Sequence, residues 1–416
     1  MAESRCPKKR SLHTVGPLDC TGGSGLSSKT HAKRDVQQLD GDDQGVICRS
    51  VAGPGRVDIS QVRRRIKCPT AKPAPPSGRR CCCSGEPHSA QVFLKCESET
   101  VVARQRRRRV DQPLEHAIAN IVQTRAGQYP TPIIRAFFDE ATFSASYVVH
   151  DPVSLAAAVI DPVLDFDAPT CRYSSTSAQA IVAYIESEGL STEWLLETHA
   201  HADHLTAAPV LQAYVGGRLA VGRAIMTVQT IFGELFNAGP EFPRDGSQFD
   251  HLFDDGEEFK IGAIECRVLN APGHTPAGVA YVIGDSVFCG NTIFMPDYGT
   301  ARTDLPGGDA RQLYRSIRRL LRLPDEARLF LSHDYKAAGR DTYAWETTIG
   351  AERTANVHIR DGITESAFIA ARTARDQTLA LPKLILHAMQ VNMRAGAFPP
   401  ADDNGKCYLR IPLNTL

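Results

Sequence analysis

The segment ETHAHADHL, residues 197–205, sets His199, His201, Asp203 and His204 in the order His-x-His-x-Asp-His. Imidazole nitrogens and a carboxylate oxygen form a donor set suited to zinc or non-haem iron. On a loop, such short spacing lets the side chains fan around one or two metal ions. Three later stretches each carry one residue of interest: His274 in APGHTPAGV (271–279), Asn291 in FCGNTIF (288–294) and His333 in SHDY (332–335). Single surface histidines are common, but metal-capable residues in this order after apolar runs form a constellation. Asn291 is the odd member, a neutral amide where the chemistry favours a carboxylate.

The elements that must position these residues are legible from Ile133 onward. SASYVVH (144–150) and AAAVIDPV (156–163) are short β-rich runs separated by a turn region. Residues 174–190 carry Ala178, Ile181, Val182 and Ile185 at helical spacing and stop at Gly189, which predicts a helix. A buried strand over 193–199 delivers His199 into the loop after it. Further strands are expected at 218–222, 264–272, 278–284, 286–291 and 327–333, with helices over 224–236, 309–322, 342–356 and 364–374. Strand-rich stretches punctuated by helices suggest a layered α/β domain. His199, His274, Asn291 and His333 each stand at or just past a predicted strand end, so they converge on one edge of the layers.

Taken in order, these motifs resemble those of the metallo-β-lactamase superfamily over roughly residues 130–360. His199, His201, Asp203 and His204 match its first metal motif, His274 its second and His333 its last. The resemblance implies an α/β fold, an αββα metallo-β-lactamase sandwich with metal between the sheet edges. Within the superfamily the chain is more similar to the persulfide (sulfur) dioxygenases, through GHTPAG, TARTDLPGGD (300–309) and HDY followed by ETTIGAERTAN (346–356). It is most similar to the bacterial beta-lactamase hydrolase-like group, through NTIFMPDYGTARTDLPGGDA (291–310) and VNMRAGAFPPADDNGKCYLRIPLN (391–414). Members of that group place a sulfurtransferase-like domain before the lactamase fold, and residues 1–125 do not match it.

This resemblance implies one Fe(II) per chain, held by His199, His274 and the residue after Gly290. The group carries Gly-Asp there, and this chain reads Gly290-Asn291. His201, Asp203, His204 and His333 would surround the ligands as a hydrogen-bonded shell. Glutathione persulfide or a related small thiol would react with O2 to give sulfite and glutathione. Asp203 and Tyr335 are candidate catalytic residues, and Arg302 and Tyr335 candidate substrate contacts. A homodimer is the expected oligomer. The alternative is a hydrolase of thioester or β-lactam type with one or two Zn(II), in which His199, His201 and His274 bind one ion and Asp203, His204 and His333 the other. A third reading is a catalytically impaired relative.

The chain divides by composition. Residues 1–125 hold 23 of the 47 Lys and Arg but 12 of the 47 Asp and Glu, so the zero net charge of the whole is a cancellation. They also hold 8 of the 12 cysteines and one aromatic residue, Phe93, of 29. So few core formers predict a basic segment over 1–127, disordered or mistranslated, with no sustained periodic element. RRCCCSGEPHS (79–89) lacks the arginine six residues after a cysteine that an anion-holding thiol loop needs. RQRRRR (104–109) has no aromatic or helical pattern beside it, so a nucleic-acid partner is not expected. A catalytic domain is expected over 128–360 and a C-terminal helical extension and tail over 361–416. No membrane-spanning run or secretory leader is read, and the cysteines show no framework spacing, which points to the cytoplasm.

Overall fold

Two six-stranded sheets carry the chain's core, and the computed structural model describes residues 112–415. The first sheet has the order β1 (Ile133–Asp139), β2 (Ser144–His150), β3 (Ala156–Ile160), β6 (Ser191–Leu196), β8 (Arg218–Gly222) and β9 (His251–Phe253). The second runs β10 (Glu258–Ile261), β11 (Ile264–Asn270), β12 (Val279–Ile283), β13 (Ser286–Phe288), β14 (Arg328–Phe330) and β15 (Glu346–Thr348). A small sheet of β4 (Val163–Asp167), β5 (Arg172–Ser174) and β7 (Leu205–Thr206) sits beside the first histidine motif.

The period-2 geometry of strands decides which layer each residue joins. In β2, Ala145, Tyr147 and Val149 pack in the cluster that also holds Phe259, Val268, Tyr281 and Phe288 of the second sheet. Val148, between them, packs on the opposite side with Ile181, Leu211 and Val228. Those three come from helices α2 (Thr176–Glu188), α3 (Ala208–Val215) and α4 (Ile225–Leu235). The second sheet repeats the scheme: Ala280 and Val282 of β12 pack against Leu313, Ile317 and Phe368. These belong to α5 (Ala310–Leu320) and α7 (Glu365–Asp376). Helices, sheet, sheet and helices make the expected αββα sandwich.

Two expectations need correction. The composition of 1–127 predicts no sustained element, yet Gln112–Arg125 is a helix, α1. Leu114, Ala117 and Ile121 recur at helical spacing and are fully buried in the second sheet's outer core. That burial outweighs the basic, cysteine-rich context upstream. The remainder of that reading, with the cysteine triplet and the arginine run, lies outside the described residues. Likewise 342–356 was expected to be one helix, but Glu346–Thr348 is an edge strand antiparallel to β14. The β-branched Thr347 and Thr348 suit a strand, and α6 (Ile349–Ala355) starts only after Thr348, which caps it by accepting from Ala351 N–H. The C-terminal extension contains α8 (Ile385–Asn392), packed against β7. No described helix is long and apolar enough to cross a membrane.

Candidate metal centre

Strands β3 and β6 are parallel neighbours, so both deliver their C-terminal ends to the same edge of the first sheet. Asp161 follows β3 directly, and the histidine loop follows β6. Thr198 donates through its backbone N–H to Asp161 Oδ1 and through its hydroxyl to Oδ2, each at 2.7 Å. Ser332, beyond β14 of the other sheet, donates to the same Oδ2 at 2.9 Å. One carboxylate therefore joins the edges of both sheets. Its φ of 48° is held against the usual preference of an L-residue, which marks a position fixed by its surroundings.

The second sheet supplies its residues through glycine geometry. Gly273, at φ 138°, precedes His274, and a Cβ there would fall 2.2 Å from Leu313 N of α5. Gly290, at φ 56°, precedes Asn291, and its Cβ would meet the Thr198 hydroxyl at 2.6 Å. Only glycine permits such close approach. The two loops that carry His199 and Asn291 are thus in direct contact at Thr198 and Gly290.

Backbone contacts set the histidine tautomers. Nδ1 of His274 lies 2.9 Å from the Arg302 carbonyl, Nδ1 of His204 3.0 Å from that of Leu205, and Nδ1 of His333 3.0 Å from that of Phe143. A carbonyl only accepts, so each Nδ1 carries a proton, which leaves the lone pair on Nε2 in the neutral His274 and His204. His199 Nδ1 sits 3.0 Å from the Thr198 hydroxyl, whose own proton goes to Asp161, and the same tautomer results. His199 Nε2 and Asn291 Oδ1 are buried without a hydrogen-bond partner. Orphaned acceptors of this kind fit a cation. The His199 ring lies 5.2 Å from that of His274 and 4.0 Å from that of His201, centroid to centroid.

The other motif residues face charges. His201 Nε2 is 3.0 Å from Asp161 Oδ1 and His333 Nε2 is 2.8 Å from Asp203 Oδ2, ion-pair distances without hydrogen-bond alignment. Donor atoms of His201, Asp203 and His333 lie within 4.8 Å of one another, as do those of Asp161, Glu197 and His201. Burial, then His201, keeps His204 neutral with its pKa lowered to about 4, and burial lowers that of His274 to about 4. His199 is held well below the usual imidazole range by burial and the neighbouring His201. His201 is opposite: burial works against its charge, yet Asp161, Asp203 and Glu197 raise it to about 9. Glu197, buried and beside Asp161, is raised to about 8. Against burial, His333, His204 and His201 hold Asp203 well below the ordinary carboxylate value.

The two acids that could replace a carboxylate at 291 are committed elsewhere. Asp285 Oδ2 is 3.5 Å from Arg125, and Asp297 takes two contacts from Arg340 at 2.7 and 3.1 Å. Arg302 spends its Nε and Nη2 on Asp304, at 2.7 Å each, and its Nη1 on the Ala380 carbonyl at 2.6 Å. The guanidinium fork of Arg302 is therefore engaged within the chain in this structure. Tyr335 lies on the His333 ring, 5.4 Å between centroids and 9° from parallel, and is 38% exposed. Phe143, Phe294 and Tyr298 surround it. Sequence reasoning missed Asp161, Glu197 and Asn392. Asp161 had a signal, an acid before proline closing an apolar strand; the buried amide of Asn392 had none.

The model of the metallo-β-lactamase superfamily matches residues 140–333. A probable metallo-hydrolase of Burkholderia pseudomallei is 50% identical over 293 residues, 68% of this chain and 99% of that protein. A beta-lactamase hydrolase-like protein of Xylella fastidiosa is 50% identical over 286 residues, 69% of this chain and 66% of that protein, so the chain spans just under two thirds of that relative's length. The human mitochondrial persulfide dioxygenase ETHE1 is 26% identical over 279 residues, covering 66% of this chain and 93% of the human protein. Among solved structures, ETHE1 from Myxococcus xanthus matches with a TM-score of 0.51 at 28% identity, over 64% of this chain and all of that one.

Proposed function

The chain belongs to the metallo-β-lactamase superfamily, and from that premise we propose that it is a cytoplasmic, one-metal oxygenase of thiol persulfides. The substrate class is glutathione persulfide or a close analogue, which with O2 and water yields sulfite and the free thiol. One O2 and one water supply the three oxygens, and the outer sulfur is the atom oxidised.

The observation that carries this reading is how the donors are partnered. His199 Nε2 and Asn291 Oδ1 are orphaned, and His274 offers its Nε2 lone pair. His201 Nδ1 and Nε2 and His333 Nε2 also lack hydrogen-bond partners, but His201 and His333 each lie at ion-pair distance from a carboxylate, which His199 and Asn291 do not. His199, His274 and Asn291 would therefore hold Fe(II), and the rest would steady them. Bound there, the ion supplies open positions at which a persulfide sulfur and oxygen can meet. Asp203, held charged beside His333, would orient that imidazole and add its negative charge to the pocket. Tyr335 offers its partly exposed ring and hydroxyl to the thiol carrier, next to the aromatic group formed with Tyr298 and Phe294. Similarity to the persulfide dioxygenase supports the substrate class.

A two-zinc hydrolase is the second reading, favoured by the grouping of His201, Asp203 and His333 within 4.8 Å. It needs residue 291 to bridge two ions, and a neutral amide bridges poorly. The test compares the chain with Asn291→Asp for iron per chain and for O2 uptake with glutathione persulfide. The amide should leave both low, and the carboxylate should raise both with little change in fold. Full iron and fast uptake in the Asn form would sink the assignment of position 291. Two zinc per chain with thioester hydrolysis would sink the oxygenase.

A further inference from the structure

The histidine loop between β6 and β7 is buried yet has little regular structure of its own, so its backbone polar groups need partners from elsewhere. Two of them, and a third group in β7 directly after the loop, find the same one. Asn392, the last residue of α8 and 4% exposed, donates through Nδ2 to the carbonyls of His201 and His204, at 2.8 Å each. Its Oδ1 accepts from Thr206 N–H at 2.9 Å. Both donors and the acceptor of one carboxamide are thus spent on the loop and the strand that follows it. Thr206 extends the hold, because its hydroxyl donates to Glu197 and accepts from Ala208 N–H.

The chemistry at position 392 is specific. A carboxamide of this length gives two donors and one acceptor in one plane, aspartate gives acceptors alone, and an aliphatic side chain gives neither. Pinning the carbonyls of His201 and His204 fixes the backbone on either side of Asp203, and with it the rise of the whole motif. The three Asn392 contacts all fall on backbone atoms and use no side-chain atom that a metal would take.

We propose that Asn392 is the positioning residue of the metal centre: reaching the loop from the C-terminal helix, it sets metal affinity and ligand geometry without touching the ion. The inference rests on reading the histidine loop as that centre. It extends beyond the reaction chosen, since it holds for an oxygenase or a hydrolase.

The test uses the full chain with Co(II) alone as probe, measuring affinity by chelator competition and geometry by the visible ligand-field spectrum. Asn392→Ala removes all three contacts, and Asn392→Asp keeps the shape and the acceptor while losing both donors. Gln390→Ala is the control: two residues away on α8 and also buried, Gln390 donates to the Leu386 and Arg410 carbonyls and accepts from Arg410 N–H without reaching the loop. Both Asn392 variants should weaken Co(II) binding about tenfold or more and shift the spectrum. Gln390→Ala should change affinity less than about twofold, even where it lowers the thermal midpoint as much. Equal loss in all three, or tight binding with an unaltered spectrum in the Asn392 variants, overturns the proposal. Failure of both Asn392 variants to fold while Gln390→Ala folds overturns it too, since the residue would then hold the fold and not the centre. If the parent chain takes up no Co(II), the metal-centre reading itself falls; if parent and variants bind it alike, only this inference does.

Discussion

On the first sheet's side of the histidine cluster, side chains hold the backbone: Asp161 takes Thr198, and Asn392 takes His201, His204 and Thr206. On the second sheet's side, glycines let the backbone come close enough to hold itself, Gly273 against α5 and Gly290 against Thr198. The first arrangement depends on buried polar groups finding every partner, the second on the absence of a Cβ. The lesson is that two loops meeting at one site can fail in different ways. Removing a polar clamp leaves several desolvated groups without partners at once, whereas adding a methyl forces one local displacement.

The largest expected effect is therefore at Asp161. Asp161→Ala strips acceptors from Thr198 and Ser332 and leaves the protonated His201 beside fewer anions, a loss of about 3–5 kcal/mol. Urea unfolding measures it, and a loss below about 1 kcal/mol would mean that the network is replaceable. Gly290→Ala should cost less, about 1–3 kcal/mol, because strain at φ 56° and the clash with Thr198 are confined to one turn. Unfolding at the parent's midpoint would show that the contact between the loops is loose. The smallest effect is a proton count. His199 and His274 are already neutral at pH 7.5, whereas His201, raised to about 9, is charged. A metal held without His201 should release well under one proton from these imidazoles, and a metal that takes His201 should release about one. Calorimetry in buffers of different ionisation enthalpy reads the number, and a full proton would move the comparison toward the two-metal arrangement.

Legibility followed the same division. The histidine motif is contiguous, and the later residues each follow a strand, so their convergence on one edge could be read from spacing. The residue pattern led only to a layered α/β domain, and the αββα sandwich came from the resemblance, because β2, β3 and β12 are buried on both faces and carry no alternation. The clamps could not be read as pairs, because Asp161 and Ser332 lie 171 residues apart and Asn392 and His201 lie 191 apart, and no local pattern tells one end of such a pair where the other is. The partner of Arg302 was legible, since Asp304 stands two residues on and takes the fork. Helix α1 was hidden differently. Leu114, Ala117 and Ile121 carried the right period, but the arginine run before them dominated the composition of the window.

Asn392 also has a consequence for the order of assembly. A nascent chain that has reached His333 already holds every candidate metal donor, yet the frame of the histidine loop arrives only with residue 392. Closing that contact spans 191 residues, and contacts of such separation form late because their loop entropy is met before they return anything. Capture of the ion then belongs to the finished chain. A polypeptide cut between these two positions would retain its whole inventory of ligands and still lack the part that sets them in order.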